Sequence, residues 1–284
     1  MATLALKFLY KPFVMNNFSR CLSSSSKLVG LEINDQNGIA TVSLQRPPVN
    51  SLNLDLLSDF LTTLTELESN KCRGAILTSS YSTVFSAGLD IMEMYKPDPN
   101  RAKKFWLTLQ DVFIKLYGSP YPTVAVINGH SPAGGCLLAT SCEYRVMQKG
   151  FTIGLNESQL GMIAPKWFMM AMKNVIGIRQ TEMALTLGRL FNTDEAHKLG
   201  LVDEVVINKQ EGIERATSFL SQFSKISPIA RALSKQMFRE EDLKVMIRNR
   251  ETDLNLFITA VTNEDLQKRL GIYLESLKKK QASA

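Results

Sequence analysis

A chain of 284 residues that is 45% hydrophobic and 21% charged carries enough apolar material for one or two cores, and it lies far from the composition of a disordered polymer. No stretch of about 18 apolar residues occurs, so the pattern offers no membrane-spanning helix. The net charge of +6 suggests nucleic acid only until it is located. Residues 1–30 hold Lys7, Lys11, Arg20 and Lys27 with no acidic residue, and the remainder carries 29 basic against 27 acidic residues, too balanced for a nucleic-acid-binding stripe.

Residues 1–27 are basic, Ser-rich and free of acids, with apolar and polar residues interleaved. That composition predicts a mitochondrial transit peptide and hence a matrix location; Lys7 and Lys11 interrupt the long apolar core that a secretory signal needs. Leu28 to Ile33 and Ile39 to Leu44 then read as two strands around Asp35-Gln36-Asn37-Gly38, where Asn-Gly signals a hairpin turn because both residues accept positive φ. Ala40, Val42 and Leu44 fall on one face of the second strand. Leu54, Leu57, Leu61, Leu64 and Leu67 recur at helical spacing. Gly74 to Thr78 is a short buried-type strand, and a loop follows as far as Asp90.

The next helix covers about Arg101 to Leu116 and stops near Gly118 and Pro120; Thr123 to Ile127 is again a strand. Gly129 to Gly135 forms a turn of small residues, Cys136 to Ser141 a helix, and Glu143 to Met147 and Phe151 to Ile153 two further strands. The alternation predicts an α/β layer fold. From Pro165 the pattern becomes helices with short breaks, with Leu201 to Val206 the one clear strand, and Pro228 opens a helical set running to about Lys280. The predicted division is a core over residues 28–207 and a helical region over residues 208–284.

Cys21, Cys72, Cys136 and Cys142 have no zinc-finger spacing, and with only His130 and His197 available the sequence implies no metal and reads the cysteines as reduced packing residues. Three segments place small residues at strand-to-helix junctions, where backbone amides can face a ligand: Phe85-Ser86-Ala87-Gly88-Leu89-Asp90, Asn128-Gly129-His130-Ser131-Pro132-Ala133-Gly134-Gly135-Cys136-Leu137, and Ile153-Gly154-Leu155-Asn156-Glu157-Ser158. Each is ambiguous alone. Gly134-Gly135 at a helix start suits an anion and equally suits a tight turn. Asp90 reads as well as a helix cap, Asn156 as a turn residue, and Glu157 as a surface glutamate in a loop.

The order and spacing of these segments, together with Pro47-Pro48-Val49-Asn50-Ser51-Leu52, Cys142-Glu143-Tyr144-Arg145 and Gly161-Met162-Ile163-Ala164-Pro165, resemble the crotonase (enoyl-CoA hydratase/isomerase) superfamily over about residues 28–280, and within it the mitochondrial enoyl-CoA isomerase branch. The resemblance implies a crotonase-type ββα superhelix core, C-terminal helices that support a homotrimer, and an acyl-CoA thioester substrate with no separate cofactor. It implies an oxyanion hole from the backbone N–H groups of Leu89 and Gly134. It also implies a substrate slot including Ala87, Gly88, Leu89, Asp90, Ile91, Gly134 and Asn156, and Glu157 as the catalytic carboxylate.

Family members that add water resemble one another in carrying two glutamates; here those positions are Leu137 and Glu157. One base suffices to move a proton from C2 to C4, whereas hydration uses two acid/base groups. The expected reaction is therefore conversion of a cis- or trans-3-enoyl-CoA to the trans-2-enoyl-CoA in β-oxidation of unsaturated fatty acids. Hydration, acyl-CoA hydrolysis, an RNA-binding relative and a catalytically silent member are the alternatives. His130 has no evident partner carboxylate, and Trp106 and Trp167 read as packing residues or tunnel lining.

Overall fold

A computed structural model describes residues 27–282, so the predicted transit peptide and Cys21 lie outside the described residues. The chain runs β1 (Val29–Ile33), β2 (Ile39–Leu44), α1 (Leu54–Ser69), β3 (Gly74–Ser79), α2 (Pro99–Tyr117), β4 (Thr123–Ile127), β5 (Ser131–Pro132), α3 (Gly134–Ser141), β6 (Tyr144–Gln148) and β7 (Thr152–Gly154). It continues through α4 (Lys166–Leu187), β8 (Phe191–Asn192), α5 (Thr193–Lys198), β9 (Glu204–Val206), α6 (Lys209–Ser221), α7 (Pro228–Arg248), α8 (Arg250–Val261) and α9 (Glu264–Ala282). Single 3-10 turns at Ile91–Glu93 and Glu157–Leu160 sit in the two loops that matter most below.

β1 and β2 form the predicted hairpin, antiparallel, with Ile33 opposite Ala40. Only Gly38 of the Asn-Gly pair has positive φ; the turn is longer than two residues and is closed by Asn34, whose side chain accepts from the amides of Gln36 and Asn37. From β2 onward the sheet is parallel, in the order β1-β2-β3-β4-β6-β9. Alternate residues of each strand face opposite layers. Ala40, Val42, Leu44, Ala75, Leu77, Ala125 and Ile127 enter the main core with α1 and α2, whereas Ile39, Ile76, Val124, Val126, Val146 and Val206 meet Ala216 and Leu220 of α6. Burial on both faces explains why β3 and β4 read as continuous apolar runs. It also makes α6 part of the sheet's covering layer.

The helix boundaries follow their caps. Asn53 accepts from Leu56 N to open α1, and Asp98 accepts from Arg101 N with Pro99 next, so α2 starts two residues before the apolar pattern does. In α1 Phe60 is buried where Leu61 is half-exposed. The strand expected over Leu201 to Val206 shortens to β9. β8, absent from the sequence reading, is two residues long and joins β5 and β7 in a separate small sheet ordered β5-β7-β8. That small sheet carries the site.

Candidate active site

Two loops are stitched together at the carboxyl end of the parallel strands. Asn50, fully buried at φ 50°, donates from Nδ2 to Ser79 Oγ (2.8 Å), Phe85 O (3.0 Å) and Leu44 O (3.2 Å), and its Oδ1 accepts from Arg46 N. Asparagine is among the few residues that tolerate this backbone region. Ser86 Oγ donates to Asn50 O, Ala87 N to Val49 O, and Leu52 pairs with Leu89 as an isolated parallel bridge, with Leu52 N donating to Gly88 O (2.8 Å) and Asp90 N to Leu52 O (3.1 Å). The amides of Gly88 and Asp90 are thus engaged, the former by Ser86 Oγ. Among the described residues the Leu89 N–H between them has no acceptor.

The second amide belongs to α3. Gly134 is its first residue, so its N–H has no carbonyl one turn back, and the preceding Ala133 adopts φ 49°, ψ −118° with no side-chain cap. A Cβ built on Gly134 lies 3.3 Å from Leu89 N, and one built on Gly88 lies 3.2 Å from Gly134 N and 3.0 Å from the Ala133 Cβ. Gly88 also has φ +86°, a conformation that glycine reaches without strain. The two free amides therefore flank one small space that admits no side chain from either glycine.

The third segment is placed by β5 and β7. Pro132 pairs with Gly154 in parallel register, and Ala133 N donates to Gly154 O at 2.8 Å, which sets the strand leading to Glu157 beside the turn that presents Gly134. Glu157 opens the 3-10 turn Glu157–Leu160, closed by Gly161 in the left-handed region. Its side chain is only 6% exposed, and neither carboxylate oxygen has a hydrogen-bond partner among the described residues. Burial outweighs the opposing pull of its own backbone N–H and raises its pKa from the ordinary glutamate value to about 7. Burial first, and then the Glu157 charge, push the neighbouring Cys136 thiol well above its usual value, so it stays protonated. Leu137 and Leu155 are buried in the same core.

A buried carboxylate that titrates near neutrality, on a segment that the β5–β7 pair sets next to the Gly134 turn, can remove a proton next to a carbonyl whose oxygen two unpaired amides hold. Such donors typically each contribute about 3 kcal/mol to the stabilisation of the oxyanion. The other predicted residues are distributed around this centre. Ala87 is exposed, Leu89 and Ile91 are half-buried, and Asn156 is half-buried with a side chain free of any capping bond. Asp90 does act as a cap: its carboxylate accepts from Met92 N and pairs with Arg46 at 2.9 Å, while its backbone N–H and C=O are bonded to Leu52 O and Glu93 N. His130 lies at the surface, its Nδ1 3.0 Å from Thr152 Oγ1. Trp106 and Trp167 both donate to Asp253 Oδ2, and Trp106 stacks on Phe257, so the two indoles are packing residues that tie α8 to α2 and α4.

Comparison with known proteins gives the family. Residues 34–282 match the enoyl-CoA hydratase/isomerase family. The chain belongs to that family. It is 44% identical over 259 residues to mitochondrial enoyl-CoA delta isomerase 1 of Mus musculus, covering 90% of this chain and 89% of the relative. Against the Homo sapiens protein of the same name it is 41% identical over 244 residues, covering 85% and 80%. The crystal structure of human mitochondrial delta3-delta2-enoyl-CoA isomerase superposes with a TM-score of 0.86 at 40% identity, over 89% of this chain and 99% of that one. An enoyl-CoA hydratase from Bacillus halodurans shares the fold, with a TM-score of 0.79 at 24% identity, 86% and 99% being covered. The fold of this family member is the crotonase-type α/β architecture with C-terminal helices.

The sequence reading did not single out the residues that hold the loops. Asn50 and Asn128 are ordinary turn residues in sequence, yet Asn128 joins Thr78, Ser79 and Tyr81. Glu93 is buried, accepts from Leu54 N and pairs with Arg101. An asparagine directly after Pro-Pro-Val, where the chain must reverse, was the available signal for Asn50.

Proposed function

We propose that this protein is an enoyl-CoA delta isomerase that converts 3-enoyl-CoA thioesters to trans-2-enoyl-CoA. The observation that carries the reading is Glu157: a buried carboxylate without a side-chain partner among the described residues, poised near neutrality, on the segment that β5 and β7 set beside the Gly134 turn. Glu157 takes a proton from C2; the electron pair moves into the thioester as an enolate, whose oxygen accepts from the two amides. Glu157 returns the proton at C4 while the enolate pair re-forms the carbonyl and the double bond settles between C2 and C3. Glu157 returns the proton it took and the electrons are redistributed within the substrate, so no cofactor is needed. Leu137 offers no second acid/base group and keeps the pocket dry, which disfavours hydration.

Relatives of more than 40% identity are named mitochondrial, and the acid-free, Ser-rich leader of this chain accords with import; we place the protein in the mitochondrial matrix, acting in β-oxidation of unsaturated fatty acids. The apolar residues that α7 leaves exposed, Ile229, Leu233, Met237 and Phe238, support a homotrimer. Incubation of the purified protein with trans-3-hexenoyl-CoA, followed by the ultraviolet absorbance of the conjugated 2-enoyl thioester, tests the activity. Conversion is expected; unchanged 3-hexenoyl-CoA, with addition of water to trans-2-hexenoyl-CoA in a parallel assay, would overturn the reading in favour of a hydratase.

A further inference from the structure

The hydrogen bonds behind the Leu89 amide form a line that ends on a charge. The carbonyl and N–H of one trans peptide unit point in opposite directions, so whatever holds the Gly88 oxygen aims the Leu89 hydrogen. Gly88 O accepts from Leu52 N at 2.8 Å. The unit that supplies this Leu52 N–H carries the Ser51 oxygen at its other end, and there Arg46 Nη1 donates at 2.9 Å; Asn53 N shares the same oxygen at 3.0 Å. From Arg46 through Ser51–Leu52 and Gly88–Leu89, each bond points the same way.

A cation at the head of such a chain draws electron density towards itself from each amide in turn, and aligned hydrogen bonds strengthen one another by roughly 10–30% per bond. The guanidinium is held for the task. Its Nη2 meets Asp90 Oδ2 at 2.9 Å, with the two side chains 22% and 14% exposed. Its backbone N–H and C=O are bonded to Asn50 Oδ1 and Asn50 N. Since Asp90 directly follows Leu89, the ion pair closes a ring around the donor. The geometry points to Arg46 as a positioning residue for the oxyanion hole, one that aims and polarises the Leu89 N–H through two peptide units without touching substrate. It rests on the reading of Leu89 as a donor to a thioester carbonyl.

The test measures polarisation directly, by infrared difference spectroscopy of bound hexanoyl-CoA labelled with carbon-13 at the thioester carbonyl, alongside kcat and KM with trans-3-hexenoyl-CoA. In Arg46→Met the bound carbonyl band is expected to relax towards its free-solution frequency, with kcat down about tenfold and KM within about twofold, since a donor is weakened and none removed. Arg46→Lys restores part of both. Asp90→Asn keeps the capping acceptor for Met92 but removes the counter-charge, and should leave the band in place or move it further from the free frequency. A folded Arg46→Met with the wild-type band overturns the inference, as does relaxation of the band in Asp90→Asn, which is what a merely structural loop clasp would give. Should Arg46→Met fail to fold, the Asp90→Asn band decides alone. A wild type that polarises the carbonyl yet leaves 3-hexenoyl-CoA unchanged sinks the isomerase reading only; a wild-type bound carbonyl at the free frequency sinks both.

Discussion

At Glu157 charge, burial and chemistry conflict, and the conflict is measurable. The native carboxyl keeps its proton up to about pH 7, whereas in the unfolded chain it ionises near the ordinary glutamate value. Between those values the native state binds more protons, so stability falls as pH rises and the full penalty, about 3 kcal/mol, is present above pH 7. Glu157→Gln cannot ionise. Urea titrations at pH 5 and pH 8 should therefore show the variant gaining up to about 3 kcal/mol relative to wild type across that interval. The same variant should lose turnover by at least three orders of magnitude while still binding acyl-CoA, and near-normal turnover would reject Glu157 as the base. In the wild type the rate should rise through about pH 7, because the carboxylate is the active form. None of this is written at position 157 itself: a glutamate between Leu155 and Leu160 is as consistent with a surface loop. Burial comes from neighbours such as Cys136, some twenty positions back in the chain, and from the small sheet that brings the two segments together.

At the level of elements, the site is a junction of loop ends, and what the pattern revealed there depended on repetition. Strands β2, β3 and β4 and helices α1 and α2 announce themselves through alternation or helical spacing because many residues report the same environment. β5 and β8 contain two residues each and have no period to detect; they exist because β7 lies between them. Yet the β5–β7 pair does more than any long strand to define the site, since it fixes the Gly134 turn against the approach to Glu157. Gly134→Ala puts this to the test. Its methyl would stand 2.9 Å from Leu52 Cδ1 and 3.3 Å from Leu89 N. A flexible leucine tip can yield, so the helix should form and the melting temperature should hold within a few degrees. The substrate oxygen loses its seat, however, and kcat should fall by about two to three orders of magnitude. An alanine variant of wild-type rate would remove Gly134 from the oxyanion hole.

Across the whole molecule, the C-terminal helices are attached through a buried set of charges that residue spacing does not disclose. Glu143, before β6, receives Arg231 and, at 2.7 Å, Lys235 from α7. Burial pushes the Glu143 pKa up, but the two cations outweigh it and the net shift is downward; Lys235 is lowered to about 8, chiefly by burial. Glu143 thus adds stability that is present above the usual glutamate range and lost as pH falls through its lowered pKa. Lys235 makes the fold tighten as pH rises from about 8 towards its unfolded value. Glu143→Gln strands two buried cations and should cost about 3–5 kcal/mol in urea unfolding, a loss absent if α7 were held by apolar contacts alone. The outer face of α7 has the opposite character. Phe238 is 89% exposed, and Phe238→Asp should convert the proposed trimer to monomers in sedimentation velocity; an unchanged assembly would place the subunit contact elsewhere.

One consequence belongs to α3, every residue of which is buried from Gly134 to Ser141. Dissolved ions screen fields only where solvent reaches, with a reach of about 10 Å at 0.1 M, and no solvent lies along this helix. Its electropositive end should act on the bound thioester with the same strength in dilute buffer and in brine. Saturating velocity should accordingly stay flat as potassium chloride is raised from about 0.05 to 0.5 M, whatever happens to capture of the nucleotide tail outside.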